Sequence, residues 1–326
     1  MDLIIYGSIA YDRIMDFPGR FADHIIPSAI RKLNVSFMVH EFHETYGGAA
    51  GNIAYNLYLL KERPVIYASV GKDFGVYLQR LNNFKITTTG IRIYPQTVTP
   101  AAYILTDRND NQITGFFPGA MNFYAKKPKS TKKDLAIIAP GNPNEMLDLA
   151  DLFYRRQTPY IFDPGQQIIQ FTKNQLQKVL RQSLIYIVND YEAALTVKIT
   201  GWDRQTLLKT AAVFITTLGK KGSTISINPR GNQLTRVNIK AVKSDLIKDP
   251  TGAGDAYRAG LIKGLIGGRP SFNRPDLVGL PWQMIGQMGS LAAVFAAEHY
   301  GTQSHQYSLN EFKKRYQLNF QTKLIL

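Results

Sequence analysis

The sequence predicts an α/β fold: a central, mostly parallel sheet flanked by helices, with a small β lid. Two observations lead there. Short apolar runs alternate with stretches of helical periodicity along the chain, the pattern of successive βα units. Two regions, about 11–46 and 92–118, break that rhythm and carry alternating segments instead, such as Ala101-Ala102-Tyr103-Ile104-Leu105-Thr106. Each follows a strand of the expected core, so both read as excursions that together cover one edge of the sheet.

Taken in order, the expected strands are Leu3–Tyr6, Val65–Val70, Leu135–Ala139, Tyr160–Phe162, Leu184–Val188, Val213–Thr217 and Thr224–Ile227. All are rich in β-branched and aromatic residues. Between them, Asn52–Leu60, Gln166–Arg181, Tyr191–Ile199 and Met284–Ala297 have the spacing of amphipathic helices. The alanine- and leucine-rich run Ala256–Ile262 reads as the first turns of another. No internal repeat or low-complexity linker interrupts the pattern. One α/β domain over 1–326, with the lid inserted in it, is therefore expected.

Composition narrows the class. Apolar residues make up 44% of the 326 and charged residues 19%, which suits a globular protein with a sizeable core. There is no cysteine, so neither a disulfide framework nor a thiolate metal site is available. The start, Met1-Asp2-Leu3-Ile4-Ile5-Tyr6-Gly7, lacks the form of a signal peptide, and no apolar run is long enough to span a bilayer. A cytoplasmic location without a membrane partner is expected. The formal net charge of +15 suits anionic partners. Part of it lies in Lys126–Lys133, and no zinc-finger spacing or aromatic–basic RNA-binding motif accompanies it, so no nucleic-acid partner is expected. His40-Glu41-Phe42-His43 has the wrong spacing for a zinc helix and reads as surface.

The most informative segment is Asp249-Pro250-Thr251-Gly252-Ala253-Gly254-Asp255-Ala256. A glycine-rich turn opening a helix gathers unpaired amides and the positive end of a dipole, which together bind anions. A carboxylate in such a cradle makes sense as the base that takes a proton from the group attacking a bound phosphate. The dinucleotide fingerprint fails, because Tyr257 stands where its third glycine belongs. A Walker loop fails at Gly219-Lys220-Lys221-Gly222-Ser223-Thr224 on spacing. The remaining alternative is a plain helix start capped by Thr251.

Together with Gly47-Gly48-Ala49-Ala50-Gly51-Asn52, this octet resembles the two glycine signatures of the ribokinase family of sugar and nucleoside kinases, and the likeness runs nearly the full length. Within the family the chain is most similar to bacterial adenosine kinases. Gly7–Asp12, Phe17–Phe21, Phe117–Met121, Asn189–Glu192 and Gly301–Gln303 support this. The resemblance implies a ribokinase-like fold in which ATP and substrate meet at the carboxyl edge of the sheet. It implies a small-molecule substrate, a nucleoside with adenosine favoured or else a free sugar such as ribose or fructose. An inactive ligand-binding or nucleic-acid-binding protein is the third reading.

Roles follow residue by residue. Asp255 is the expected general base for a ribose 5′-hydroxyl, with the amides of Gly252, Ala253 and Gly254 holding the transferred phosphoryl group. Asp12 can grip a vicinal diol, Gly47 and Gly48 admit the sugar against bare backbone, and Asn52 bonds its hydroxyls. Phe116 and Phe117 are the expected partners of a base, with Ser8, Ser36 and Gln167 for polar contacts. Bacterial adenosine kinases tend to carry an aromatic residue where this chain has Ala101-Ala102, which leaves the base pocket more open on one side. For ATP, the expected contacts are Asn189 and the Thr217, Gly219 and Gly222 turn. Glu192 is the expected Mg2+ group, acting through water. The likeness also implies a monovalent cation such as K+ near Asp249 and the Gly301 loop. Exposed lid edges would let two copies pair into a homodimer.

Overall fold

The chain winds through strands β1 (Leu3–Tyr6), β2 (Ala10–Asp16), β3 (Glu41–Gly47), β4 (Pro64–Tyr67), β5 (Ser69–Gly71), β6 (Arg92–Tyr94) and β7 (Ala101–Thr106). It continues through β8 (Gln112–Phe117), β9 (Leu135–Ile138), β10 (Tyr160–Phe162), β11 (Ile185–Asn189), β12 (Val213–Thr217), β13 (Ser223–Ile227) and β14 (Thr235–Ile239). The structure is a computed structural model describing residues 1–26, 31–109, 111–228, 234–268 and 274–324.

Eight strands form the central sheet in the order β14-β13-β12-β11-β10-β9-β1-β4. The six from β4 to β12 run parallel, and β13 and β14 add an antiparallel edge. Buried Ile, Leu and Val on both faces require cover on both sides, as in any parallel sheet. The side-chain period of two then sorts each strand between two cores. Leu3 and Ile5 join one with the helices Ala49–Leu59 and Ala253–Gly268, while Ile4 and Tyr6 join the other with Pro143–Arg155 and Lys173–Gln182.

From β1 the chain turns one way to β4 and later crosses to β9 on the other side. That reversal opens a crevice at the carboxyl ends of β1 and β9, the place where open α/β sheets bind ligands. The second sheet, β3-β2-β7-β8, rises from it. Its strands come from the two irregular regions noted in the sequence, of which residues 27–30 and 110 lie outside those described. β2 follows β1 directly, so the lid is an outgrowth of the central sheet's own crevice. At its far end Phe17, Phe21 and Phe37 pack ring against ring.

Two expected elements divide. Val65–Val70 splits into β4 and β5, because β5 leaves the central sheet to pair with β6. There bare Gly71 lies against the Val98–Thr99 backbone. The helix expected over Gln166–Arg181 begins instead as a 3-10 turn, Gly165–Gln170, and restarts as Lys173–Gln182. The restart is set by a capping box in which Thr172 and Gln175 satisfy each other's backbone N–H groups. The Leu309–Phe320 helix has the same signature, with Ser308 and Glu311. Strand β14 escapes a search for apolar runs because Thr235-Arg236-Val237-Asn238-Ile239 is mostly polar.

The β12–β13 hairpin turns at Gly222, whose φ is +93° and whose missing Cβ would overlap the Ile239 carbonyl. Gly222→Ala is therefore expected to cost about 1–3 kcal/mol from backbone strain, and more from the clash. Urea denaturation should show a lower midpoint with an unchanged slope.

Candidate active site

Six parallel strands deliver their carboxyl ends to one edge, and most of the residues singled out in the sequence stand there. Gly7 and Ser8 follow β1, Asp163 to Gln167 follow β10, Asn189 closes β11 and Thr217 closes β12. The octet enters this edge from the other direction, as the start of the helix Ala253–Gly268.

The decisive contact joins the two glycine signatures. Asn52 Nδ2 donates to Asp255 Oδ2 at 2.8 Å, across 203 residues of sequence. Asn52 can do so because its Oδ1 is already engaged: Thr302 Oγ1 stands 2.8 Å from it and Gln303 Nε2 3.0 Å. The Gln303 NH2 group can only donate, so it fixes the Asn52 amide with its NH2 toward Asp255. The single Thr302 proton is shared between this oxygen and the Tyr46 carbonyl, also at 2.8 Å. Gln303 Nε2 also reaches Tyr77 Oη at 2.6 Å, and Tyr77 donates to the Gly47 carbonyl at 2.9 Å. Arg80 holds the Gln303 carbonyl at 2.6 Å. Tyr77, Thr302 and Gln303 were given no role from the sequence. Gly301-Thr302-Gln303 was visible as part of the resemblance, but Tyr77 carried no local signal.

At the octet, Gly252 adopts a φ of +78°, which glycine alone reaches without strain. Asp249 clamps the loop. Its carboxylate accepts the amides of Thr251 at 2.8 Å and Gly301 at 3.0 Å. The Ala253 amide donates to the Pro250 carbonyl at 3.2 Å, so it is spent within the turn. The open donors are the amides of Gly252, Gly254 and Asp255, which make no hydrogen bond among the described residues. Beneath them Arg258 forms a buried two-pronged pair with Asp163, at 2.5 and 2.8 Å, and its third nitrogen grips the Gly254 carbonyl at 3.0 Å.

Burial pushes the Asp255 carboxyl up to about 6, with Asp163 and Asp12 adding to the rise while the Asn52 hydrogen bond and the Arg258 charge hold it back. Burial, then the Asp249 charge, likewise raises Asp12 to about 6. Asp12 lies over bare Gly47, where a Cβ would meet its carboxylate. Gly48, with φ +88°, lets the chain pass within 2.6 Å of the Ser8 carbonyl at the position a Cβ would take.

The remaining residues are less closely drawn in. Ser8 Oγ accepts the Ala49 amide at 3.1 Å, so it caps a helix start beside Gly48. Phe116 and Phe117 lie on β8, opposite Ala102 and Ala101, and are 50% and 48% exposed. Ser36 is exposed on the lid beside Phe37, and Gln167 is half-buried past β10. Asn189 and Glu192 form a capping box, with Glu192 accepting the Asn189 amide at 2.9 Å. Burial raises the Glu192 carboxyl. Thr217, Gly219 and Gly222 sit at the hairpin between β12 and β13, an antiparallel turn rather than a crossover loop.

The pattern of the pfkB family carbohydrate kinases matches residues 2–308. The chain belongs to the pfkB family. It is an ATP-dependent kinase of a nucleoside or a sugar. Among relatives of this pfkB kinase, the nucleoside kinase of Methanocaldococcus jannaschii is 30% identical over 275 residues, spanning 83% of this chain and 85% of that one. Its crystal structure, described as an archaeal member of the ribokinase family, has a TM-score of 0.83 at 27% identity, covering 98% and 99% of the two chains. The nucleoside kinase of Burkholderia thailandensis, solved with inosine, gives a TM-score of 0.82 at 33% identity, over 98% of this chain and 99% of that one. The same protein solved with ADP-inosine gives 0.80 at 34%, over 98% and 97%. The ribokinase-like α/β fold is thus shared.

In this kinase the Arg258–Asp163 pair has no water to fall back on. Arg258→Met would strand a buried carboxylate and should lower stability by about 3–5 kcal/mol in chemical denaturation. Adding Asp163→Leu should recover much of that loss, because the pair then leaves together.

Proposed function

We propose that this pfkB kinase transfers the γ-phosphoryl group of ATP to the 5′-hydroxyl of a purine nucleoside, adenosine included, with Asp255 as general base. The observation that carries the reading is the 2.8 Å contact between Asn52 and Asp255, which joins the sugar-binding signature to the phosphate cradle. Asp12, close enough to add to the rise in the Asp255 carboxyl, is the group that would accept protons from the ribose diol.

The chemistry then follows from the residues. The substrate hydroxyl gives its proton to the Asp255 carboxylate as its oxygen forms a bond to the γ-phosphorus, and the bond from that phosphorus to ADP breaks. The Gly252, Gly254 and Asp255 amides, at a helix N-terminus, meet the charge on the phosphoryl oxygens. One such donor is worth roughly 2.7–4 kcal/mol in a site closed to water. Phe116, 50% exposed and in register with Ala102 and Asp12 on one lid face, has the ring surface to cover a base, which a free sugar would leave unused. Phe117 falls on the opposite face, in register with Ala101 and Tyr11. Ala102, beside Phe116 on the neighbouring strand, leaves room on that face and favours tolerance among purines. The inosine complex of the Burkholderia thailandensis relative accords with that tolerance.

Mg2+ would come with ATP and neutralise its phosphates. The capping box occupies Asn189 Oδ1 and Glu192 Oε2 and leaves Glu192 Oε1 without a hydrogen bond among the described residues. A hard ion that keeps several waters needs no more than one carboxylate oxygen. A K+ ion near Asp249 and Gly301 would offset the carboxylate that raises Asp12. Among the described residues the outer lid strands β3 and β8 have no strand on their outer sides in the sheet order, which suits pairing with a second copy.

Three measurements test the reading. With ATP, adenosine and inosine should be turned over faster than ribose or fructose; faster ribose turnover would overturn the nucleoside assignment. Asp255→Asn should cut kcat by about 10²–10⁴ with little change in nucleoside KM. Because both carboxyls are raised, the wild-type kcat/KM should fall as pH drops through about 6. The same shifts make Asp12 and Asp255 favour the folded state most below their unfolded range near 4, and that benefit disappears as pH rises through about 6. Asp255→Asn should therefore raise the melting temperature at pH 7.5 while it lowers kcat.

A further inference from the structure

The catalytic reading uses little of the net charge of +15, and the fold shows where that charge goes. Each parallel strand is entered from the end opposite the active site. The entry to β4 carries Lys61 and Arg63, the segment leading into β9 carries Lys126, Lys127, Lys129, Lys132 and Lys133, and the entry to β10 carries Arg155 and Arg156. Lys209 precedes β12. All ten are exposed and none forms an ion pair among the described residues. Hydrogen bonds of Arg156 to the Pro128 carbonyl, and of Thr158 to Ser130, bring the β9 and β10 entries together.

The acids at this end are mostly committed. Glu62 pairs with Lys263 at 2.6 Å, Asp151 with Lys178 at 2.7 Å, and Asp203 caps a helix through the Thr206 amide. Asp134 accepts the amides of Asp2 and Thr131 at 2.6 and 2.8 Å, which hold its carboxyl below the usual range. Asp2 itself remains exposed. Carboxylates gather at the catalytic end, where Asp12, Asp163, Asp190, Glu192, Asp249 and Asp255 stand, with Lys220 and Lys221 of the β12–β13 hairpin beside them. The strand-entry cations are also too far away to steer ATP. Strands of four or five residues separate the ends by roughly 15 Å, beyond a screening length of about 8 Å in physiological salt.

With strands about 4.8 Å apart, the entries from β4 to β12 spread these cations over roughly 24 Å. Aromatic surface lies among them. Tyr154, 55% exposed, immediately precedes Arg155 and Arg156, and Trp202 is half-buried beneath the Arg181 guanidinium at 4.9 Å. A track of unpaired cations with an open ring beside it is how proteins hold a single-stranded nucleic acid: phosphates lie along the charge and a base stacks on the ring. An anionic lipid surface would call for exposed aliphatic groups to insert, and an acidic polypeptide has no use for the ring. We infer that the strand-entry face of this kinase binds single-stranded nucleic acid, independently of its catalytic activity.

The test is fluorescence anisotropy of a labelled 20-nucleotide single-stranded RNA with the full-length protein. Neutralising four to five phosphates should make affinity fall about 50- to 100-fold between 50 and 200 mM salt. The triple variant Lys129→Glu/Lys132→Glu/Lys133→Glu should bind at least tenfold more weakly while retaining wild-type kinase turnover, which also reports that it is folded. Tyr154→Ala should weaken RNA binding several-fold without changing the salt slope. Absence of binding at 50 mM salt, or equal binding by the triple variant, would overturn the inference. So would full displacement of the RNA by an equal charge of polyglutamate, or tighter binding to phosphatidylserine vesicles than to RNA.

Discussion

A single buried ion pair holds the reactive end of this protein in place. Arg258 lies one turn inside the helix that begins at Ala253, and its guanidinium meets Asp163, just past β10, through two parallel hydrogen bonds. Its remaining nitrogen reaches back to the Gly254 carbonyl. One side chain thus ties the helix's first turn to the carboxyl edge of the central sheet. The open amides of Gly252, Gly254 and Asp255 take their direction from that attachment. A planar, always-charged fork suits the task, since a lysine in its place could satisfy one oxygen at a time. Burying the pair is costly in itself, so it is better understood as orienting the cradle than as adding stability.

A second constraint acts on Asn52. A carboxamide can present either its oxygen or its nitrogen, and here the choice is made by Gln303, whose NH2 group donates to the oxygen. The Asn52 NH2 group is left for Asp255. The carboxylate is consequently held by one hydrogen bond and tempered by the Arg258 charge, while burial and the neighbouring acids raise it. The balance leaves it ionised near neutral pH yet close enough to its transition to accept a proton readily. Three segments distant in sequence, around Asn52, Asp255 and Gln303, meet in this arrangement.

The molecule is also electrically divided. Carboxylates collect where the parallel strands end, beside Lys220 and Lys221, and a longer series of lysines and arginines lies where the strands begin; every crossover returns the chain to that side before the next strand. A modest excess of basic residues in the entry segments becomes a continuous face once those segments are set side by side. In the sequence the same residues look like scattered solvated loops, with Lys126–Lys133 as one denser run.

The sequence by itself determined the α/β class, most central strands and both glycine signatures, because these depend on local pattern: apolar periodicity, turn chemistry and the spacing of glycines around a carboxylate. It also singled out Asp12, Asn52 and Asp255, which the fold brings to one crevice. It did not resolve Val65–Val70 into two strands, since the break depends on β6 and on the Val98–Thr99 backbone lying against Gly71. It passed over Tyr77 and Gln303, whose importance lies wholly in partners more than two hundred residues apart or across the lid's base. Asn189 and Glu192 satisfy each other as a capping box, which their spacing already allowed. Only the tertiary structure decided which way the Asn52 amide faces, which octet amides stay open once Ala253 turns back to Pro250, and where the positive charge accumulates. Those are matters of which atoms meet, and sequence pattern carries residue type and spacing but not the direction of a hydrogen bond.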